Sequence, residues 1–361
     1  MANIYLRSPK YIAATAPANA VKVRLELRIA LSLNIYTLEK TTSAGSSVLF
    51  EVSELFRDYL DLSINSDSTH SRYYDYTLTF FNINNAILST STDGGFINDG
   101  YTYFEEPDGV LDGRSYLQSN NIIYRLEDSD VRIPIDRNET NKVTYIKNNE
   151  IVSSENITTS IGNNIYYIGE NQDSFKDRVE SDGGIFENNI CIQRFDDNID
   201  LNGVDTIIIE GTNSTDRVSV KTISECRYTP AKVRFVNRFG AVQDVWFFKK
   251  SIESLNTKTE KYKSNSITSV GGYDRFSHQY KTFNVQGNKK ITLNTGYVDE
   301  SYNEVMQELL LSEQVWMEMD DVTTPMNVDT KSLTFKTSVN DKLVDYKLDL
   351  SFAYDTINNI R

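Results

Sequence analysis

The sequence predicts a mainly-β, multi-domain protein built from antiparallel β-sandwiches, with one flanking helix in the N-terminal domain and one in the C-terminal domain. Apolar residues alternate with polar ones over several short runs, which is the pattern of half-buried strands. The chain is rich in Tyr (22) and Phe (17), and aromatic residues favour strands. Helical spacing of apolar residues occurs near residues 53–60 and again near 301–312.

The first of three predicted domains, residues 1–135, is a β-sandwich with a short helix. In VKVRLELRI, residues 21–29, every second residue is apolar and the residues between them are charged, so this run is a half-buried strand. SLNIYTLEK follows as its antiparallel partner, and YYDYTLTFF, residues 73–81, resumes the strands. Between them, SELFRDYL offers Ser53 as the N-cap of a short helix.

Residues 136–225 form an Asn-rich β middle domain or insertion. Turns such as KNNE, GNN and ENN separate short strands such as IYYIG, ICIQRF and TIIIEG. This region is the candidate for the peripheral or partner-facing part of the protein.

Residues 226–361 are predicted to form a C-terminal β-sandwich with a helix near residues 301–312. AKVRFV and VQDVWFFKK flank NRFGA, which predicts a hairpin with Gly240 at a positive-φ position. Ser301 and Glu304 fit a capping box at the start of the helix. The helix carries an apolar stripe at i, i+3, i+4, i+7 and i+8, namely Tyr302, Val305, Met306, Leu309 and Leu310.

Composition restricts the classes of function. A formal net charge of -14 disfavours sequence-specific nucleic-acid binding as the main activity. No run approaches the roughly 20 apolar residues of a membrane span, and the N-terminus lacks the apolar core of a signal peptide. Cys191 and Cys226 lie outside any CxxC pattern, so we expect both to be reduced and buried.

Catalytic chemistry has few candidate residues in this sequence. The two histidines, His70 and His278, lie in neither HExxH nor G-x-S-x-G, so we expect structural roles for both. Glu105 and Glu106 could be considered as the paired carboxylates of a glycosidase. Adjacent residues of a strand point to opposite faces, however, which places these two poorly as a pair. We therefore expect a protein that is not an enzyme and has no bound cofactor.

Calcium is the cation that this sequence could hold. In DDNIDLNGVD, oxygen-bearing side chains alternate at Asn198, Asp200 and Asn202, and Gly203 stands where a calcium loop turns sharply. The twelfth position counted from Asn198 is Ile209 rather than Glu, and a strand follows instead of a helix. An Asx-rich turn is the simpler interpretation, and a weak calcium site is the alternative.

The stretch VRFVNRFGAVQDVWFFKK, residues 233–250, combines aromatic and basic side chains. That combination binds single-stranded nucleic acid when it is exposed. The simpler hypothesis is a structural hairpin with buried aromatics, whose basic groups point outward or pair with carboxylates. We expect the structural hairpin, with Trp246 buried.

The last 135 residues carry a resemblance to a known class of protein. They contain RYTPAKVRFVNRFGAVQDVWFFKK, then HQYKTFNV, TLNTGYVDESYNEVMQELLLSEQVWM and TPMNVDTKSLTFKTSVNDKLVDYKLDLSFAYD. This ensemble resembles virion and tail structural proteins of tailed bacteriophages, especially from marine and Bacteroidetes-type hosts. The N-terminal SPKYI, FEVSELFRDYL and GYTYFEE fit the same resemblance.

The resemblance implies a non-enzymatic component of a phage tail tip, baseplate or tail adaptor that assembles as a symmetric ring. Its partners would be itself and other virion proteins, with no membrane contact. It would be made in the bacterial host cytoplasm and then reside in the virion tail. The alternative function is a carbohydrate- or host-surface-binding β-sandwich adhesin, assisted by calcium at Asn198, Asp200 and Asn202.

Overall fold

The structure is a computed structural model that describes residues 2–29, 35–60, 62, 70–104, 114–160, 163–169, 201–265, 267, 270–272, 276–320, 322–335 and 343–356. These residues form twenty-one strands and two helices. The mainly-β prediction with several sheets is therefore confirmed.

The N-terminal part contains a five-stranded sheet, a two-stranded ribbon and a short helix. The strands and helix are β1 (Ala2–Tyr5), β2 (Tyr11–Thr15), β3 (Lys22–Ile29), β4 (Ile35–Thr41), β5 (Ser47–Glu51), α1 (Ser53–Arg57), β6 (Ser71–Phe81) and β7 (Ile87–Asn98). The sheet order is β1-β7-β6-β3-β4, and β2 pairs with β5. Strand β3 pairs antiparallel with β4 and with β6, as its alternation predicted.

A single hydrophobic core joins this sheet to the ribbon and to α1. Leu25 and Leu27 from β3 lie in that core with Phe50 of the ribbon and Phe56 of α1. Helix α1 begins at Ser53, so its N-cap is Val52 and not Ser53. The predicted cap was wrong by one position because Glu51 accepts hydrogen bonds from both the backbone and the hydroxyl of Ser53.

The next part contains a second five-stranded sheet and a second two-stranded ribbon. The strands are β8 (Ile122–Leu126), β9 (Ile133–Asp136), β10 (Thr140–Lys147), β11 (Glu150–Asn156), β12 (Ile165–Ile168), β13 (Thr206–Gly211) and β14 (Thr215–Ile223). The order is β11-β10-β13-β14-β8 in the sheet, and β12 pairs with β9. Ile207 and Ile209 of the sheet share a core with Ile133 and Ile135 of the ribbon.

The last sheet has seven strands in the order β16-β15-β19-β20-β21-β18-β17. These strands and the second helix are β15 (Ala231–Val236), β16 (Val242–Phe247), β17 (Ile252–Lys263), β18 (Tyr280–Asp299), α2 (Tyr302–Leu311), β19 (Val315–Met319), β20 (Val322–Val328) and β21 (Leu343–Phe352). The predicted hairpin and the predicted C-terminal helix are both present.

The chain folds into two compact units, each assembled from several segments. Unit 1 comprises Met1–Ser224, Arg234–Val245 and Ser301–Glu313, and unit 2 comprises Glu225–Val233, Trp246–Glu300 and Gln314–Arg361. The three-domain boundaries at 135 and 225 stay a prediction.

Helix α2 belongs to unit 1, although the sequence groups it with the C-terminal domain. The reason is its packing partners: the Tyr302 hydroxyl accepts a hydrogen bond from the Tyr124 backbone at 3.3 Å. Leu310 is only half-buried, while the rest of the predicted stripe is buried. The predicted capping box is wrong, since Ser301 itself has helical φ and ψ and its side chain makes no capping hydrogen bond.

Candidate assembly surface

The aromatic and basic hairpin formed by β15 and β16 is buried, as the structural hypothesis expected. Every residue of both strands is buried, Trp246 included. The turn is held by the Asn237 side chain, which accepts hydrogen bonds from the backbone of Phe239 and Ala241. Gly240 has φ +77, and a Cβ there would lie 2.7 Å from the backbone nitrogen of Asp99. Glycine is therefore required at this turn.

The basic groups within the hairpin are buried rather than outward-pointing, which corrects one part of that hypothesis, while Lys249 and Lys250 just after β16 are exposed as it expected. Lys232 contacts Glu318 at 2.8 Å and Arg234 contacts Asp244 at 3.3 Å, while Arg238 lies 3.7 Å from Glu304. All three cations are buried, and a buried charge is tolerated only when it is paired. The hairpin thus presents no aromatic and basic surface to nucleic acid.

The two histidines occupy very different environments. His70 is fully buried, and its Nδ1 lies 2.6 Å from the Tyr167 hydroxyl, which also accepts a hydrogen bond from the Val242 backbone. His278 is exposed, and its backbone carbonyl accepts a hydrogen bond from the Ser264 hydroxyl. His70 therefore links three segments of unit 1.

The calcium candidate is only partly within the described residues. Asn198 and Asp200 lie outside them. Asn202 is described, and its side-chain oxygen accepts a hydrogen bond from the Arg125 guanidinium at 3.0 Å, while its amide donates to Asp128 at 3.0 Å. In the described ranges, no group of three or more His, Cys, Asp and Glu residues could hold a metal ion.

The cysteines and the adjacent glutamates are the remaining sequence candidates. Cys226 is exposed, so its predicted burial was wrong; it follows β14 in a polar loop rather than in a core. Cys191, Glu105 and Glu106 lie outside the described residues.

Three carboxyl groups of unit 1 have strongly raised pKa values, and burial is the main cause for each. Burial raises the pKa of Glu308 to about 7 and the pKa values of Asp99 and Asp136 to about 6. Asp136 accepts hydrogen bonds from the Asn138 backbone and the Asn164 amide. The hydrogen bonds of Asp136 have a structural role, because they connect its carboxylate to its own turn and to the segment before β12.

Each of the three large sheets has one buried edge strand and one exposed edge strand. Strands β1, β8 and β16 are the buried edges, and β4, β11 and β17 are the exposed ones. An exposed edge offers unpaired backbone N–H and C=O groups, which can add a strand from another chain. The exposed edges are therefore where this fold can extend its sheets into a partner.

Strand β17 is the most exposed of these edges, because all twelve of its residues are exposed. Strand β18 pairs with β21 only from Lys290 onward. Residues 255–263 and 280–289 thus form a two-stranded ribbon, which we call the arm. At about 3.4 Å per residue, the arm is roughly 30 Å long. A ribbon of two strands without a core is marginally stable by itself.

The two faces of the arm differ in chemistry. Cross-strand register and alternation place Leu255, Val285 and Tyr280 on one face together with Lys261 and Lys263. We call this the apolar–basic face; among the described arm residues it carries no carboxylate. The opposite face, the polar face, carries Asn, Gln and Lys side chains, the arm's single carboxylate Glu260, and Tyr262, whose ring packs on Phe283 at 6.0 Å.

The arm is also basic in an acidic chain. It contains five lysines and one glutamate, a formal charge of +4. Because the whole chain carries -14, the remainder carries -18. No sequence motif marks the arm as a surface. The sequence feature that the arm does show is TKTEKYK, residues 257–263, a run rich in Thr and Lys that favours a strand but lacks alternating apolar residues.

Comparisons with known proteins give no family. No protein-family model matches the chain, and no curated protein matches it. One similar solved structure concerns host cell surface retention of a 1.5-MDa bacterial ice-binding adhesin; it is 9% identical with a TM-score of 0.15, over 96% of this chain and 91% of that chain. Another is surface layer protein SbsC, domains 4–9, 10% identical with a TM-score of 0.19, over 89% of this chain and 54% of that chain.

Within the described residues, no helix has the length and apolar character needed to span a membrane.

Proposed function

We propose that this protein is a non-enzymatic structural component of a bacteriophage virion, a tail tip, baseplate or tail adaptor protein that assembles as a symmetric ring. The observation that carries the proposal is the arm, an exposed and basic two-stranded ribbon with apolar side chains. Such a ribbon has no core of its own, so contact with another subunit is what stabilises it. The protein acts through contacts with itself and with other virion proteins.

The internal pairing of charges supports this proposal. The hairpin cations are matched to carboxylates within the fold, and His70 is engaged with Tyr167. The open backbone groups of the described sheets lie instead at the exposed strand edges. The resemblance to tail structural proteins supplies the biological setting, in which the chain is made in the bacterial cytoplasm and incorporated into the tail.

Size-exclusion chromatography coupled to light scattering tests the proposal. We would compare the full chain with a variant in which residues 256–288 are replaced by an Asn-Gly turn, at several concentrations and with or without calcium. A discrete trimer, hexamer or dodecamer that the arm deletion converts to monomer supports a ring component. The variant should melt at nearly the same temperature as the full chain, because the arm adds no core.

Two outcomes contradict the proposal. A full chain that remains monomeric at every concentration argues against ring assembly. A monomer whose melting temperature rises with calcium supports the calcium-assisted adhesin instead.

A further inference from the structure

We infer that the apolar–basic face of the arm docks on strand β11 of a second copy of this chain. The inference rests on the proposed ring assembly and names the surface that receives the arm. Two features support it: the exposed apolar groups of both elements and their opposite charges.

The arm presents apolar groups that its own chain leaves uncovered. Leu255 is 55% exposed, Tyr280 is 61% exposed and Val285 is 38% exposed. Leu255 lies beside Gly287, whose carbonyl accepts a hydrogen bond from the Thr356 backbone at 2.7 Å, so the C-terminal segment of the same chain contacts this end of the arm. Contact with a partner would remove this apolar surface from water, at about 25 cal/mol per Å².

Strand β11 presents a complementary set of groups. Ile151 is 69% exposed and Val152 is 55% exposed. A bulge brings these two neighbours together, because Ile146 pairs with Ile151 while Tyr145 pairs with Ser153. Glu150 lies at one end of the apolar pair and is exposed, whereas Glu155 beyond its other end accepts a hydrogen bond from the Tyr145 hydroxyl at 2.6 Å. Strand β11 contains no cation. The lysines of the arm therefore meet the Glu150 carboxylate at the edge of an apolar contact.

The other exposed edges fit the arm less well. Strand β4 carries Lys40, and its Glu39 is already engaged by Arg24 at 2.7 Å. A second β17 would bring the lysines of two arms together, which is repulsive. Strand β11 is the exposed edge that combines two large exposed apolar side chains with an exposed carboxylate and no cation.

The lengths of the two elements also match. Strand β11 has seven residues, about 24 Å at 3.4 Å per residue, so the arm is long enough to cover it. The arm and β11 are different patches of one chain, so the contact is compatible with the head-to-tail repetition that closes a ring.

Charge reversal with rescue tests the contact. The arm variant is Lys261→Glu with Lys263→Glu, and the β11 variant is Glu150→Lys with Ser154→Lys, at positions that the fold leaves accessible on these two edges. The matched control is Lys258→Glu with Lys281→Glu, which makes the same charge change on the polar face of the arm. Self-association of each full chain would be measured by sedimentation velocity over a range of concentrations and at two salt concentrations.

We expect the arm variant and the β11 variant each to raise the dissociation constant about tenfold or more, because each puts like charges together. The chain that combines both variants should recover to near the original value, and the control should change it little. Association of the original chain should weaken as salt rises.

The outcomes separate this inference from the proposed function. If the arm variant dissociates the assembly but the β11 variant has no effect, the arm docks elsewhere, and the inference fails while ring assembly stands. Absence of rescue in the combined chain also overturns the inference. A chain that stays monomeric up to about 1 mM, where a contact would be worth only about 4 kcal/mol, overturns both.

Discussion

The guanidinium Nε of Arg234 lies 3.3 Å from a carboxylate oxygen of Asp244, and the two side chains are only 5% and 1% exposed. The other oxygen of Asp244 accepts a hydrogen bond from the Arg132 backbone at 3.2 Å. Asp244 therefore neutralises the buried cation and also fixes the segment before β9. This pair explains how a hairpin rich in basic residues can lie inside an acidic protein.

Replacing Asp244 by Asn should destabilise unit 1 by about 3 kcal/mol, because the buried Arg234 loses the negative charge that lies 3.3 Å from its Nε. Asn has nearly the same size as Asp and keeps an oxygen that can accept the hydrogen bond from the Arg132 backbone. The loss of stability therefore measures mainly the loss of the negative charge. The free energy of unfolding in urea measures it.

Two controls sharpen that measurement. Adding Arg234→Met to Asp244→Asn removes the buried cation together with the Asp244 charge and should recover much of the lost stability, which a double-mutant cycle quantifies. Glu39→Gln breaks an exposed pair with Arg24 and should change stability little. If Asp244→Asn is as mild as Glu39→Gln, the buried pair has no special role.

Leu309→Asp should destabilise unit 1 by several kcal/mol, because it places a charge at a fully buried position of α2. The matched control is Leu311→Asp, the same substitution at an exposed position of the same helix. Thermal melting of both variants checks the prediction. Equal melting temperatures would show that α2 does not pack through Leu309.

The elements that could be predicted from sequence are those set by local spacing. The alternation of residues 21–29 gave the strand β3 and its inward-facing Leu25 and Leu27. The NRFGA turn gave the β15–β16 hairpin, because its required backbone conformation is local to Gly240. The i, i+3, i+4 stripe gave α2 and most of its buried face.

What could not be predicted depends on partners that are distant in sequence. Lys232 can be buried because it forms an ion pair with Glu318, which lies 86 positions later in the sequence. No sequence pattern near Lys232 predicts that contact. The assignment of α2 to unit 1 depends on Tyr124 in the same way. The sequence did not predict the arm, because β18 pairs with β21 only from Lys290 onward and this limit depends on contacts between distant segments.

Asn202→Ala should lower the melting temperature by the same amount with and without calcium. Its side chain already joins Arg125 to Asp128, and a guanidinium at the amide oxygen competes with a cation for that oxygen. The exposed Asn213→Ala is the control and should have little effect. A calcium-induced rise in melting temperature that Asn202→Ala abolishes would establish the calcium loop at Asn198, Asp200 and Asn202.

Glu308 should make unit 1 less stable as the pH rises toward neutrality. Its carboxyl group is buried, contacts the Ser119 hydroxyl and accepts a hydrogen bond from the Arg238 backbone at 3.3 Å. Burial raises its pKa from 4.5 to about 7, against the lowering effect of the Arg238 charge and with Glu304 adding to the rise. The folded state therefore binds more protons than the unfolded state between these two values. This group's contribution to stability is fully present below about pH 4.5 and is lost by about pH 7.

Glu308→Gln should remove that dependence, because a Gln side chain resembles the protonated acid: its amide can donate to Ser119 and its oxygen can accept from Arg238. Relative to the original chain, the variant should be more stable at pH 8 than at pH 5 by roughly 1–3 kcal/mol, measured by urea unfolding. Asp99 and Asp136, whose pKa values are about 6, titrate in both proteins and cancel in the difference. Glu54→Gln, at an exposed position of α1 in the same unit, controls for the loss of one negative charge. An identical difference at both pH values would mean that Glu308 is ionised in the folded protein throughout this range.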